Sequence, residues 1–469
     1  MGHILSLGRN GHDNLWNIAE KTGLSPLSVI PFVDMLVTYG LLTLKLWNEA
    51  DIADYQKSVI EGRRSRGLAS ASILDRMSID ESDAEILYSD AVDDGATITS
   101  VMFELTYNCS ERCIHCYNPG ATRNAHEISY RANRNELTID EYKSIIDQLY
   151  ELGLIKVCLT GGDPFSKPIV WDIIKYLYEK DIAIDIYTNG QRLMGNEANL
   201  AKYYPRLVGL SLYSGVATDH DKITSVTGSW KKTMSVLSAL SSYAIPINLK
   251  CCVMQPNVRS YYMVSDIAME YGAMPQYELS ITESNDGDLC AKKLRLNETQ
   301  LKVVLRDLQV PLYVGPSAKD YGRVQKKMDT APCGTGRTSF CITPDGDLRG
   351  CCAFPMTYGN IRDDKIIDTI VGNKIIEDWR NIMISDYTEC GRYDYCSFCN
   401  LCSGNNYLEH GDYRKPAETN CYLAKCRYKL AAELSDNDAS DLPREDLIRE
   451  LQKLTIESVS LHREYRTGK

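Results

Sequence analysis

From Val101 onward the hydrophobic period of the chain changes, and that change limits the possible architecture more than any other feature of the sequence. Short β-rich runs at 101–107, 155–160, 182–187, 208–213, 245–254 and 277–282 alternate with amphipathic stretches at 139–152, 169–179, 230–243, 260–271 and 298–307. Strands separated by helix-length crossovers belong in a parallel sheet with right-handed connections. The fold class is therefore α/β. Six such strands suit either an open doubly wound sheet or a partial (β/α)6 TIM-like barrel.

The flanks read differently. Residues 1–95 are helix-rich: helical runs at 14–21 and 25–39 and an apolar run at 41–46, broken at Gly23 and Gly40, suggest a winged-helix-like module. A charged helix at 51–64 ends in the basic cluster Arg63, Arg64 and Arg66, and an acidic segment follows at 80–94. After Val310 the helical pattern stops and cysteines crowd together, ten of them between Cys333 and Cys426. The tail at 443–465 is a charged helix with Leu447, Leu451, Leu454 and Val459 on one face. The expected division is 1–95, 96–315, 330–430 and 431–469.

Seventeen cysteines in 469 residues call for either disulfides or metal. Disulfide frameworks serve short secreted chains that cannot build a core, and this chain is long and begins without a signal-peptide pattern. The most apolar stretch, 27–47, is interrupted by Pro31, Asp34 and Gly40, which favours a buried helix pair over a membrane span. A net charge of −11 disfavours a nucleic-acid partner, whose phosphates need a basic surface. The expectation is a cytoplasmic protein with no membrane partner, its thiolates kept for metal.

The first β run leads into Cys109-x3-Cys113-x2-Cys116. Three thiolates on one loop hold three corners of a four-iron cubane and leave the fourth iron open, whereas a structural zinc site closes with four ligands. A site at the C-terminal end of an α/β strand is where ligands gather. Forty-five residues on, after the second strand, comes Gly161-Gly162-Asp163-Pro164, whose glycines allow close backbone approach.

With these residues in view, the sequence resembles the radical S-adenosylmethionine (SAM) enzymes. Cys109, Cys113 and Cys116 match that family's cluster motif, with Tyr117 after it. Gly161 to Pro164 match its Gly-Gly-Glu-Pro loop, with Asp163 in place of Glu. Tyr187-Thr188-Asn189-Gly190 resembles its Thr-Asn-Gly turn. The resemblance, which runs to about residue 310, implies a SAM-binding [4Fe–4S] cluster on the three cysteines. It further implies SAM held by Tyr117, Gly161, Gly162, Asp163, Pro164, Asn189, Ser211 and Lys250.

The C-terminal region resembles the SPASM extension, which carries two auxiliary [4Fe–4S] clusters. Cys333 to Cys351 fit its first half, but the second half departs from it in order, with Cys390-x5-Cys396-x2-Cys399-x2-Cys402. The family's interleaving gives one cluster to Cys333, Cys341, Cys351 and Cys402, and the other to Cys390, Cys396, Cys399 and Cys421. A zinc reading stays open here too. Cys352 and Cys426 are extra thiols; Cys158, Cys251 and Cys252 lie on barrel strands, and one of the last two is a candidate hydrogen-atom donor facing the cavity.

The resemblance implies an oxidoreductase that makes a 5′-deoxyadenosyl radical and removes a hydrogen from a ribosomally made precursor peptide, installing a thioether or carbon-linked crosslink. Its partners would be that peptide, with a leader segment bound by the N-terminal module, and a flavodoxin or ferredoxin as electron donor. Two alternatives remain. A formylglycine-generating sulfatase-maturating enzyme should carry an acidic base where Cys352 stands. An iron–sulfur redox-sensing DNA-binding regulator would use the N-terminal helices, against the net charge.

Overall fold

The computed structural model describes residues 98–118, 136–315, 328–387, 389–435 and 441–457. The expected leader-binding module at 1–95, with Arg63, Arg64 and Arg66, lies outside the described residues, as does the tail from 458 with Val459.

Strand β1 (Ser100–Thr106) alternates in the way its sequence demands. Val101, Phe103 and Leu105 are buried against the helical layer, so Met102, Glu104 and Thr106 face the opposite side. Helix α1 (Ile139–Glu151) begins with a capping box in which Thr138 and Glu141 each accept the other's backbone N–H, and it lays Tyr142, Ile145, Ile146 and Leu149 on the sheet. Then come β2 (Lys156–Gly161), α2 (Val170–Glu179), β3 (Ala183–Thr188), α3 (Glu197–Ala201), β4 (Leu207–Ser211), α4 (Ala217–Thr224), α5 (Ser229–Ser242), β5 (Ile247–Cys252), α6 (Met263–Tyr271), β6 (Met274–Glu278) and α7 (Glu298–Val304). Neighbours from β6 back to β1 pair in parallel, giving the open, partial TIM-like barrel.

Strand β6 starts three residues earlier than the 277–282 run suggests. It includes Pro275, which an edge strand tolerates because one side of its backbone needs no partner.

The sheet does not stop at six strands. Strand β7 (Ser339–Ile342) pairs in parallel with β1, setting Phe340 beside Val101 and Cys341 beside Met102. Antiparallel β8 (Asp347–Cys351) and β9 (Phe354–Asn360) extend it to nine strands in the order β6-β5-β4-β3-β2-β1-β7-β8-β9.

The expectation that helices stop between Val310 and the tail is corrected: α8 (Ile366–Ile370), α9 (Lys374–Arg380), α10 (Ser403–His410) and α11 (Glu418–Ser435) precede the expected tail helix, α12 (Arg444–Lys453). Helix α10 hides its period because it buries Asn405, Asn406 and Glu409, polar residues that no apolar pattern marks. Helix α12 does bury Leu447 and Leu451, as its stripe implies. No helix among the described residues is long and apolar enough to cross a membrane.

Candidate functional site

The loops after β1 and β2 are fastened together at the C-terminal end of the sheet. Gly162 N donates to Thr106 O (2.7 Å) and Asp163 N to Asn108 O (2.9 Å), while Asn118 Nδ2 donates to Gly161 O (2.9 Å). A Cβ on Gly161 would lie 2.3 Å from Thr106 O, and one on Gly162 would lie 2.5 Å from Asn108 O. Gly161 also has φ +123°. The two glycines are therefore required by the close approach of the backbone of β1 and of the loop that follows it.

The cysteine loop rests on α4, with Arg112 N donating to Thr224 O (2.8 Å) and Ile114 N to Ile223 O (2.9 Å). Cys109 Sγ accepts from Glu111 N (3.4 Å) and from Asn189 Nδ2 (3.2 Å) at the end of β3. Cys113 Sγ lies 3.5 Å from Glu111 Oε2 and 4.0 Å from the Tyr213 hydroxyl.

Burial pushes all three thiols up, Cys116 to about 11, and the three also repel one another as anions. Burial lifts Glu111 beside them to about 8. An iron cluster would supply the positive charge that three buried thiolates need. Asp163 is fully buried; its Oδ1 accepts from Thr188 Oγ1 (2.6 Å), its Oδ2 has no partner among the described residues, and burial raises it to about 6. An unsatisfied buried acceptor beside the thiols fits a donor such as the SAM amine.

Ser211 and Lys250 sit side by side in the β4–β5 register. Lys250 Nζ is 3.5 Å from the Tyr187 ring centroid, and burial lowers its pKa. A side chain at Gly209 would strike both, its Cβ 2.6 Å from Lys250 Cε and from Tyr187 Cδ1. Tyr117, next to Cys116, has its hydroxyl at the Cys352 sulfur, and its carbonyl accepts from Asn285 N (2.7 Å).

Sequence reasoning passed over His115. Its ring packs edge-on against Tyr213 at 4.7 Å, and burial holds it neutral by lowering its pKa to about 4. The signal was present, since a lone histidine stands between two of the three loop cysteines. Glu104, fully buried on β1 and raised to about 7 by burial, was also missed because a single acidic residue interrupts an otherwise apolar strand.

The cysteines of the C-terminal region fall into two groups. Cys390, Cys396, Cys399 and Cys421 line one cavity of about 620 Å³ together with Tyr393, Tyr395 and Asn420. Cys351 is influenced electrostatically by Cys333 and Cys402, and Cys341 by Cys351. Cys352 instead points toward Tyr117, Glu104 and Lys250. Among the described residues no three His, Cys, Asp or Glu side chains converge on a single-ion site.

Residues 103–258 match the Radical SAM superfamily. A radical SAM domain thus spans those residues. The subtilosin biosynthesis protein AlbA of Bacillus subtilis (strain 168) is 24% identical, over 71% of this chain and 72% of that one. The AdoMet-dependent heme synthase of Methanosarcina barkeri (strain Fusaro / DSM 804) is 25% identical, over 67% and 93%. Among solved structures, Streptococcus suis SuiB bound to its precursor peptide SuiA matches with a TM-score of 0.52 at 14% identity, over 73% of this chain and 79% of that one, a likeness of fold. The radical SAM family implies SAM and one [4Fe–4S] cluster.

Proposed function

We propose that this radical SAM enzyme is a maturase of a ribosomally made peptide, removing a hydrogen atom from the precursor and installing a thioether or carbon-linked crosslink. The observation that carries this reading is the cysteine loop at the end of β1, fastened to the Gly161–Gly162 turn, in a chain similar to AlbA. SuiB, of the same fold, has been solved with its precursor peptide bound, which supports a peptide substrate.

In this reading Cys109, Cys113 and Cys116 hold the SAM-binding cluster. Bound SAM and the reduced cluster supply a one-electron cleavage of the sulfonium that gives a 5′-deoxyadenosyl radical. Asn189 and the Glu111 backbone donate to Cys109 sulfur and stabilise its negative charge. Asp163 accepts from the SAM amine, Ser211 and Lys250 face its ribose and carboxylate, and Tyr117 shuts water out. Cys333, Cys341, Cys351 and Cys402 hold one auxiliary cluster, and Cys390, Cys396, Cys399 and Cys421 the other.

Residues 1–95 would bind the leader, 96–315 form the barrel, 330–430 carry the auxiliary clusters and 431–469 form the tail. A flavodoxin or ferredoxin would deliver the electron in the cytoplasm. Cys352, in the place where formylglycine formation expects an acidic base, favours crosslinking.

The test is anaerobic incubation of reconstituted enzyme with SAM, dithionite and a peptide translated from a short neighbouring reading frame. The reading predicts 5′-deoxyadenosine together with a peptide lighter by two hydrogens. Deoxyadenosine formation indifferent to any such peptide would contradict it.

A further inference from the structure

Five buried polar atoms with no partner among the described residues gather at the cysteines on and beside β7 and β8. They are Thr335 Oγ1, Arg337 Nε, Arg349 Nε and Nη1, and the Tyr358 hydroxyl. Each can donate a hydrogen bond, and the three guanidinium N–H groups can do nothing else. A buried donor left unpaired costs stability, so five in one place call for an acceptor that the protein's own atoms do not supply.

Register fixes where they lie. Arg349 stands directly opposite Cys341 across β7 and β8, and two residues before Cys351 on its own strand. Asp347 reaches only its Nη2, at 3.8 Å. Tyr358 of β9 is 4% exposed, and its hydroxyl sits between Gly336 and Gly350, where a Cβ on either glycine would lie 2.9 Å from it. Thr335 Oγ1 would be 3.4 Å from the same Gly350 Cβ. Cys351 and Cys333 are the thiols that bear on the Tyr358 phenol, and Cys333 bears on Arg337. The other group contrasts with this one. Its cavity, which holds Cys390, Cys396, Cys399 and Cys421, is lined by no such unpaired atom.

We propose that Thr335, Arg337, Arg349 and Tyr358 donate hydrogen bonds to the sulfurs of the cluster on Cys333, Cys341, Cys351 and Cys402, and thereby raise its reduction potential. The proposal rests on the reading above, that these cysteines hold a cluster. Cluster sulfur carries negative charge, and one more electron makes it a better acceptor, so donors favour the reduced form. Burial works the other way, because the reduced cluster bears the larger charge. The donors offset that cost without binding iron; they act through the sulfurs. The proposed crosslinking gives this a use. Once a hydrogen atom has been taken, one proton and one electron still leave the peptide, and a cluster lined in this way takes the electron readily.

The potential itself is the readout. Full-length enzyme, anaerobically reconstituted and free of SAM, is titrated with dithionite across a series of fixed potentials, and each cluster is followed by its EPR signal. Added SAM alters the signal of the cluster it binds, which leaves the two auxiliary signals identified. Tyr358→Phe removes only the hydroxyl, and Thr335→Val exchanges a hydroxyl for a methyl. Each is expected to lower the same auxiliary midpoint. In the double variant that cluster becomes about tenfold harder to reduce, ~59 mV for a one-electron couple, while the other midpoints and the iron per chain keep their wild-type values. Arg349→Lys, which keeps the charge, should lower that midpoint less than Arg349→Gln. Auxiliary midpoints unchanged in Tyr358→Phe and Thr335→Val overturn the assignment alone, as does a shift confined to the SAM-sensitive signal. Iron lost from Tyr358→Phe makes the phenol a ligand and overturns it as well. Wild-type enzyme holding only roughly four irons per chain, one cubane, removes the underlying reading of the C-terminal cysteines, and the proposal with it.

Discussion

His220 shows how one buried side chain sets a pH limit. It is fully buried on α4, its Nδ1 accepts from Tyr213 N at 3.2 Å, and its ring stacks on Tyr213 at 5.5 Å. Burial lowers its pKa from 6.5 to about 4. Above pH 6.5 the histidine is neutral both folded and unfolded. Between 6.5 and 4 only the unfolded chain takes the proton, so stability falls as pH drops, by up to about 3 kcal/mol. His220→Gln keeps an acceptor without the titration. Denaturant unfolding at pH 7 and pH 4.5 should show wild type losing more stability than the variant; equal losses would contradict the burial argument.

Legibility at this scale followed chemistry. Cysteine spacing marked the loop because thiolates at fixed intervals have few other uses. His115 and Glu104 stood out less, a lone histidine between two loop cysteines and a lone acid in an apolar strand, and what they and Cys352 face depends on strands distant in sequence.

Among the elements, the junction of β1 and β2 carries the site. Short apolar runs made both strands readable, with β2 buried continuously through its middle, and the Gly-Gly pair marked a close approach. What it approached was not readable, because the partner is backbone from another loop and not a side chain. Gly162→Ala is the direct test: its Cβ would meet two carbonyl oxygens, Asn108 O at 2.5 Å and Tyr107 O at 2.7 Å, neither able to swing aside. The variant should separate the two loops, losing deoxyadenosine formation while keeping the iron of the C-terminal cysteine groups. Wild-type rates from Gly162→Ala would show the contact to be unimportant. Strand β6 marks the limit of reading elements from sequence, since Pro275 looks like a loop until the strand is known to lie at an edge.

Across the whole molecule, nine strands in one sheet join the SAM half to the cysteine-rich half. The β1–β7 pairing escaped the sequence because it links segments more than two hundred residues apart through a strand of only four residues. The same pairing sets Cys341 two residues from Glu104 in the register and brings Cys352 to Tyr117, so the two halves meet at the loop after β1. In the proposed reading each cluster keeps its own ligands, the SAM-binding one on the loop after β1 and the auxiliary ones beyond β7.

That separation gives the central claim its sharpest test. Cys113→Ala removes one of three ligands from the SAM-binding loop and leaves the C-terminal cysteines untouched. After anaerobic reconstitution, iron per chain should fall from roughly twelve to roughly eight, as expected for three cubanes becoming two, and 5′-deoxyadenosine should no longer form. A Cys113→Ala enzyme that keeps its full iron and still cleaves SAM would contradict the account.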